Sequence, residues 1–236
     1  MDCKILRTYK NFDKSSLSII NGVRDLIENH KLFEHKFFKD YAAGKLPEIH
    51  ERKWLKQRQF LSKQFPSIYA NIIANSTDLD FLRPFVRQLW EEFGNGKREK
   101  IHYYQLLNTL YAKGITNNEI GNEPIAKGTQ EVINAYQKWT KQENVVIAAA
   151  VFGFAIEPII AMDMELSLEG LRKNKALSET DLIYFQDHAT HDYGHSWEIL
   201  DVVLPKIKTE KEIELIKQGV IDVLISRVSF YDECLI

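Results

Sequence analysis

Between positions 188 and 195 the chain reads His188-Ala-Thr-His191-Asp192-Tyr-Gly-His195, which gathers three imidazoles and a carboxylate into eight residues. The whole sequence of 236 residues holds seven histidines, so chance places about a quarter of one in such a window. On a helix, His188, Asp192 and His195 stand at i, i+4 and i+7 and project from one stripe on successive turns. Two imidazoles and a carboxylate converging from one side make half a site for a divalent transition metal. His191 lies about 60° round the helix from His188, which leaves it as a replacement ligand or as a partner behind the ligands.

Two other stretches offer the missing half. The first is Glu91-Glu92-Phe-Gly-Asn-Gly-Lys-Arg-Glu99-Lys-Ile-His102, with carboxylates at one helix end and a histidine at the start of the next helix. Its glycine-containing turn would bring Glu92 and His102 together. Glu99 and His102 also form a Glu-x-x-His pair, the arrangement used in di-iron bundles, and Glu91 or Glu99 could replace Glu92. The second is Glu157, set in the most apolar segment of the chain, where an unpaired buried carboxylate would cost several kcal/mol. A metal ion would satisfy it, as would a buried arginine or a helix end facing water. Taken alone, Glu92 or His102 reads better as an ordinary polar helix end, Glu157 equally as a structural ion pair, and the 188–195 cluster better as a site than as a solvated face. Together, Glu92, His102, Glu157, His188, Asp192 and His195 supply oxygen and imidazole ligands without a cysteine, which suits iron or manganese better than structural zinc and is enough for two ions. Two divalent ions against three carboxylates leave positive charge, which favours an anionic ligand such as a substrate carboxylate.

The elements that must position these residues are helices. Alternating strand patterns are nearly absent, and helical periodicity fills the chain. The spacing predicts helices over 15–30, 32–43, 47–64, a shorter piece from Pro66 to Ala74, 78–93, 102–113, 128–141, 144–165, 179–203 and 209–231, with a loop at Asn117–Pro124. With the shorter pieces counted as parts of longer helices, this reads as an all-α bundle of seven or eight helices in one domain, residues 1–236. With 31 basic and 33 acidic residues the chain is no general nucleic-acid binder. Its charged N-terminus lacks a signal-peptide core, and the apolar run Val145–Ile156 is too short to span a bilayer. Cys3 and Cys234 are too few for a disulfide framework, and a cytoplasmic protein is expected.

The order Glu92, His102, Glu157, then His188-x₃-Asp192-x₂-His195 resembles the heme-oxygenase-like di-iron oxidases and oxygenases, relatives of the thiaminase II and pyrroloquinoline-quinone synthase folds. The Gly94-Asn-Gly96 turn and the stretch His35-Lys-Phe-Phe…Gly44-Lys-Leu are similar to that family as well. The resemblance implies a seven-helix fold, two Fe(II) ions, O₂ as co-substrate, a small carboxylate substrate (amino acid or fatty acid), an external reductant and a homodimer. Phe152, Phe154, Phe185 and Tyr193 would line a mostly dry substrate pocket, although for any one of them ordinary core packing is the favoured reading. Family members that make para-aminobenzoate from their own tyrosine carry Tyr directly before the mid-helix Glu and Lys ten residues after it. Ile156 and Ser167 stand there in this chain, leaving Tyr41, Tyr69 and Tyr193 as other donors. Two competing readings keep the fold: a metal-independent enzyme of the thiaminase or quinone-synthase type, and an interaction module using the amphipathic helix Ile213–Phe230.

Overall fold

Apolar residues recur at helical spacing along nearly the whole sequence, and the folded chain is helical throughout. No strand occurs among the described residues, 12–173 and 177–236 of this computed structural model. The elements are α1 (Lys14–Glu28), α2 (Lys36–Ala42), α3 (Glu48–Ile73), α4 (Leu79–Glu92), α5 (His102–Ala112), α6 (Asn117–Asn122), α7 (Lys127–Thr140), α8 (Val145–Val151), α9 (Glu157–Leu171), α10 (Ile183–Val203) and α11 (Glu210–Cys234). Short 3-10 turns join several of them. The charged N-terminal segment and Cys3 lie outside the described residues.

Local chemistry explains where these elements depart from the periodicity. Helix 32–43 is broken at His35, whose ring accepts the Phe37 N–H and caps α2 after a 3-10 turn at Lys31–Glu34. The expected loop at 117–124 contains α6, because Thr116 and Glu119 close a capping box. Pro66 does not end α3. The lost backbone bond, which costs about 3 kcal/mol, is offset by burial of Phe65, Ile68, Tyr69 and Ile72 on the same face.

Helices α8 and α9 form one rod, joined by a π-helical turn at Phe152–Ile156. The rod runs well past the apolar stretch that the sequence suggested. Val145–Leu171 is long and apolar enough to cross a membrane by length and composition, but 89% of its most apolar window is buried inside the protein, the setting of a core helix. Pro158 has no N–H, and in a regular α-turn its ring would meet the carbonyl of Phe154. It sits at the exit of the wide turn. Gly153 lies inside that turn because α10 crosses there: a Cβ would fall 2.8 Å from Ile199 Cγ2. Ser196 of α10 donates to the Gly153 carbonyl at 2.6 Å. Helix α9 packs along α10 more extensively than any other pair of elements, so the rod and the histidine-bearing helix share one interface.

A second carboxylate interrupts the rod. Asp163 is buried between the guanidinium groups of Arg58 on α3 and Arg227 on α11, both hydrogen-bonded to its Oδ2. Burial alone would push its carboxyl up, but the two arginines outweigh burial and hold it below the usual carboxylate range. These are the buried arginines that the sequence left as a partner for Glu157, and they serve Asp163 instead. Removing the negative charge would leave two buried cations facing each other. Asp163→Asn is therefore expected to lower unfolding stability by about 3–5 kcal/mol in urea titrations, and a loss under about 1 kcal/mol would contradict this account.

Candidate metal centre

Helix α10 turns His188, Asp192 and His195 inward from one stripe, leaving each under a tenth exposed. Backbone and side-chain partners fix the two rings in opposite senses. His188 donates through Nδ1 to the Tyr184 carbonyl at 2.8 Å, because a carbonyl only accepts, and this frees Nε2. His195 has Nε2 at 2.9 Å from Glu91 Oε2 and points Nδ1 at Asp192 Oδ1, 3.4 Å away, and Glu157 Oε2, 3.7 Å away.

The turn after α4 brings in the next two groups. Gly94, Asn95 and Gly96 hold φ values of 66°, 53° and 81°, the left-handed region that glycine tolerates. At Gly94 a Cβ would meet the Lys100 carbonyl carbon at 2.5 Å and the Ile101 nitrogen at 2.6 Å, so only glycine lets the chain fold back this tightly. The result sets His102 Nδ1 3.0 Å from Glu92 Oε1, while His188 Nε2 stands 3.9 Å from the same oxygen. The rings of His102 and His188 meet edge to face with centroids 4.6 Å apart. From the rod, Glu157 accepts a 2.8 Å hydrogen bond from the Tyr69 hydroxyl. The Tyr69 hydroxyl also lies 3.4 Å from Gln88 Oε1, and Gln88 donates to the His195 carbonyl at 3.2 Å.

All six residues singled out by spacing thus gather in one region, as two triads. Glu92, His102 and His188 form one, and Glu157, Asp192 and His195 the other; within each, one ligand atom per residue lies within 4.8 Å of the others. The alternative ligands fall elsewhere. Glu91 bonds to the far nitrogen of His195 and to Arg87, Glu99 is exposed on a 3-10 turn, and His191 is exposed in the wall of the cavity beside the triads but in neither triad. The four aromatic residues do not border the cavity at the triads. Phe152, Phe154 and Phe185 are fully buried in the core, and Tyr193 lines a separate open cleft of about 1390 Å³ between α1, α9 and α10 that none of the six residues borders. The cavity that does open onto the triads measures about 470 Å³ and is bordered by His102, Gln105, Asp187, Asp192 and His195 among others, with no aliphatic, Phe, Tyr, Trp or Met side chain in its lining.

Electrostatics follow from burying these charges together. Burial works against ionising Glu92, yet the adjacent His102, with His188 and His195, holds its carboxyl below the usual value. Burial also opposes a charge on His102, but Glu92 raises it to about 9. Burial and the neighbouring His102 charge lower His188 to about 3, so it is a neutral imidazole at pH 7. In the second triad burial and repulsion from Glu157 push Asp192 up, while Asp192 and Glu157 overcome burial and lift His195 to about 11. Without a cation, each triad therefore retains a proton that a metal ion would displace.

The sequence offered Tyr69 only as one of three candidate donors; its contact with Glu157, across 88 positions, carries no local signal. Gln88 was within reach, since it shares with Glu91 and Glu92 the i, i+3, i+4 face of α4.

A family model described as iron-containing redox enzyme matches residues 52–224. A 4-aminobenzoate synthase of Chlamydia muridarum (strain MoPn / Nigg) is 20% identical over 194 residues, covering 82% of this chain and 80% of that protein. Among solved structures, a TenA homolog from Pseudomonas syringae pv. tomato superposes with a TM-score of 0.76 at 16% identity, covering 98% of this chain and 99% of the other. A CADD-like protein of unknown function from Nostoc punctiforme gives 0.74 at 12% identity, covering 94% and 95%. A domain with a heme oxygenase-like fold from Shewanella denitrificans gives 0.71 at 14%, covering 95% and 93%.

The shifts of Glu92 and His102 set the pH dependence of the metal-free chain. The His102 contribution is complete below its unfolded value of about 6.5 and is lost as pH rises through about 9. The Glu92 contribution is complete above its unfolded value of 4.5 and is lost as pH falls below that. The pair is thus worth most between about pH 4.5 and 6.5. Urea midpoints of wild type and Glu92→Gln should differ more at pH 6 than at pH 9.5; an equal gap at both would refute the assignment.

Proposed function

The chain belongs to the heme-oxygenase-like iron-containing redox enzymes, and from that premise we propose that it is a non-heme di-iron, O₂-dependent oxidoreductase acting on a small carboxylate substrate. The observation that carries this reading is the pair of triads: two separate groups of imidazole and carboxylate oxygen, side by side and each of ligand size. Glu92, His102 and His188 would hold one ion, and Glu157, Asp192 and His195 the other. Two ferrous ions bound there would supply the reduction of O₂ and the oxidising power for the substrate.

The protein's own share is positioning, charge and access. The Tyr184 carbonyl and the Glu91 carboxylate fix which nitrogen each histidine presents. Tyr69 holds one oxygen of Glu157, leaving Oε2 toward His195. With two divalent ions held by three carboxylates the centre would be net positive, which would favour an anionic substrate in the adjoining cavity. A reading of the thiaminase type needs a nucleophilic thiol. Among the described residues the free thiol is Cys234, buried at the end of α11 and away from both triads, where burial pushes it up to about 12.

A second reading draws on the relative that is a 4-aminobenzoate synthase and on the contact between Tyr69 and Glu157: a tyrosine of the chain itself is the substrate. Tyr41 and Tyr193, the other donors suggested by the sequence, bond to Glu51 and to Glu165 rather than to a triad residue. Intact-mass analysis after exposure of the iron-loaded protein to O₂ separates the two readings, since consumption of a tyrosine changes the mass of the chain.

Anaerobic titration with Fe(II) tests the main proposal. About two ions should bind per chain, with release of about two protons at pH 7 seen as buffer-dependent heat. His188→Ala should lower the count to about one, and O₂ uptake should require both ions. Binding of no iron by the wild-type chain would end the proposal.

A further inference from the structure

Helix α4 has two faces of different use. The inner one carries Gln88 and Glu92 toward the triads. On the outer one Leu79, Val86, Trp90 and the C-cap residue Phe93 stay 81%, 51%, 56% and 45% exposed. No other helix exposes more than two large apolar side chains among the described residues. With Arg83 the stripe runs through positions 79, 83, 86, 90 and 93, the alternating steps of four and three that mark a helix–helix seam, within about 80° round the helix. At roughly 200 Å² per side chain, the exposed fractions leave about 500 Å² of apolar surface in one strip, near the upper limit for a monomer.

The strip is complementary to itself in one orientation. Antiparallel pairing about a two-fold axis at Val86 sets Leu79 of one copy against Phe93 of the other, and Arg83 against Trp90. Arg83 has no ion pair or hydrogen bond among the described residues, and this pairing lays its guanidinium on an indole face. Parallel pairing would set Arg83 against Arg83. Antiparallel helices also oppose their dipoles, and exposed Asp80 at one end and Lys97 beyond the other then meet as opposite charges. Two such strips with these flanking residues would bury roughly 1,200 Å², the lower edge of a specific interface.

We propose that the outer face of α4 pairs with the same face of a second copy of this chain, antiparallel about Val86, and that this seam braces the turn of the first triad. Trp90 is the link. A Cβ on Gly96 would stand 3.1 Å from its ring, so the indole lies on the Gly94–Gly96 turn that sets His102 beside Glu92. Covering Trp90 from outside holds that turn in place. The seam stands on α4 alone, whereas the bracing rests on the oxidoreductase reading, in which Glu92, His102 and His188 hold an ion.

Sedimentation velocity of the full chain between about 1 and 100 μM tests the seam and should show a monomer–dimer equilibrium. Val86→Glu, which brings two like charges together on the axis, should weaken it about a hundredfold, and Arg83→Glu about tenfold. Both positions are exposed, and far-ultraviolet circular dichroism checks that the fold is kept. Cross-linking reads the register. In a Cys3→Ser background a short bismaleimide should join Val86→Cys to itself, and Leu79→Cys to Phe93→Cys when the two variants are mixed. It should not join Leu79→Cys to itself, since the two copies of that position lie about 21 Å apart. Mn(II) titration followed by its paramagnetic resonance signal, at a concentration where the wild type is dimeric, should show one of the two ions held more weakly by Val86→Glu. A chain that stays monomeric throughout, a dimer untouched by Val86→Glu, or Leu79→Cys joined to itself would overturn the seam. Equal manganese affinity in the two proteins would overturn the bracing alone. A wild-type chain that holds no metal ends the oxidoreductase reading and the bracing together, while the seam is judged by sedimentation and cross-linking.

Discussion

An ionised carboxylate stays inside a helical core only if something positive or protic meets it there. The central rod carries two, Glu157 and Asp163, six residues and therefore about 120° apart around the helix. The two answers differ in kind. Asp163 is compensated permanently by Arg58 and Arg227. Glu157 meets a tyrosine hydroxyl and a histidine beside a further carboxylate, Asp192, a set that does not neutralise itself without protons or an added cation. The core is thereby divided into a part that closes on its own charges and a part that needs protons or an added cation to do so.

Much of the second part could be read from the sequence because helices turn spacing into direction. The intervals 188, 192 and 195 on α10 needed only the 3.6-residue period to predict a common face, and the Gly94-Asn-Gly96 turn sufficed to pair Glu92 with His102. What stayed hidden is what passes between elements far apart in sequence. Tyr69 finds Glu157 only because α3 packs beside the rod, and no pattern near position 69 announces it. The partner for a buried arginine was foreseen on the wrong carboxylate, since Asp163 looks like any polar position in an apolar run until α3 and α11 close round it. The place of the aromatic residues was hidden for the same reason. Phe152, Phe154 and Phe185 neighbour ligand positions along the chain but point into the packed interior, and the actual cavity is lined by polar residues of α4, α5 and α10.

The two triads are alike in composition but not in wiring. His188 is oriented by a carbonyl of its own helix, one turn back, and keeps that orientation as long as α10 is formed. His195 is oriented by Glu91, which in turn is held by Arg87 and faces the cavity. One ring is therefore set by secondary structure, and the other by a chain of side chains open to solvent and to whatever enters.

In a helix, the angle at which each side chain leaves is inherited from every residue before it. The wide turn at Phe152–Ile156 interrupts that inheritance. Upstream, α8 is phased to α7 and α11; downstream, α9 is phased to α10 and α2. Substitutions that re-angle the upstream half against its neighbours can be absorbed at this joint, so the scaffold has room to drift while Glu157 keeps its bearing.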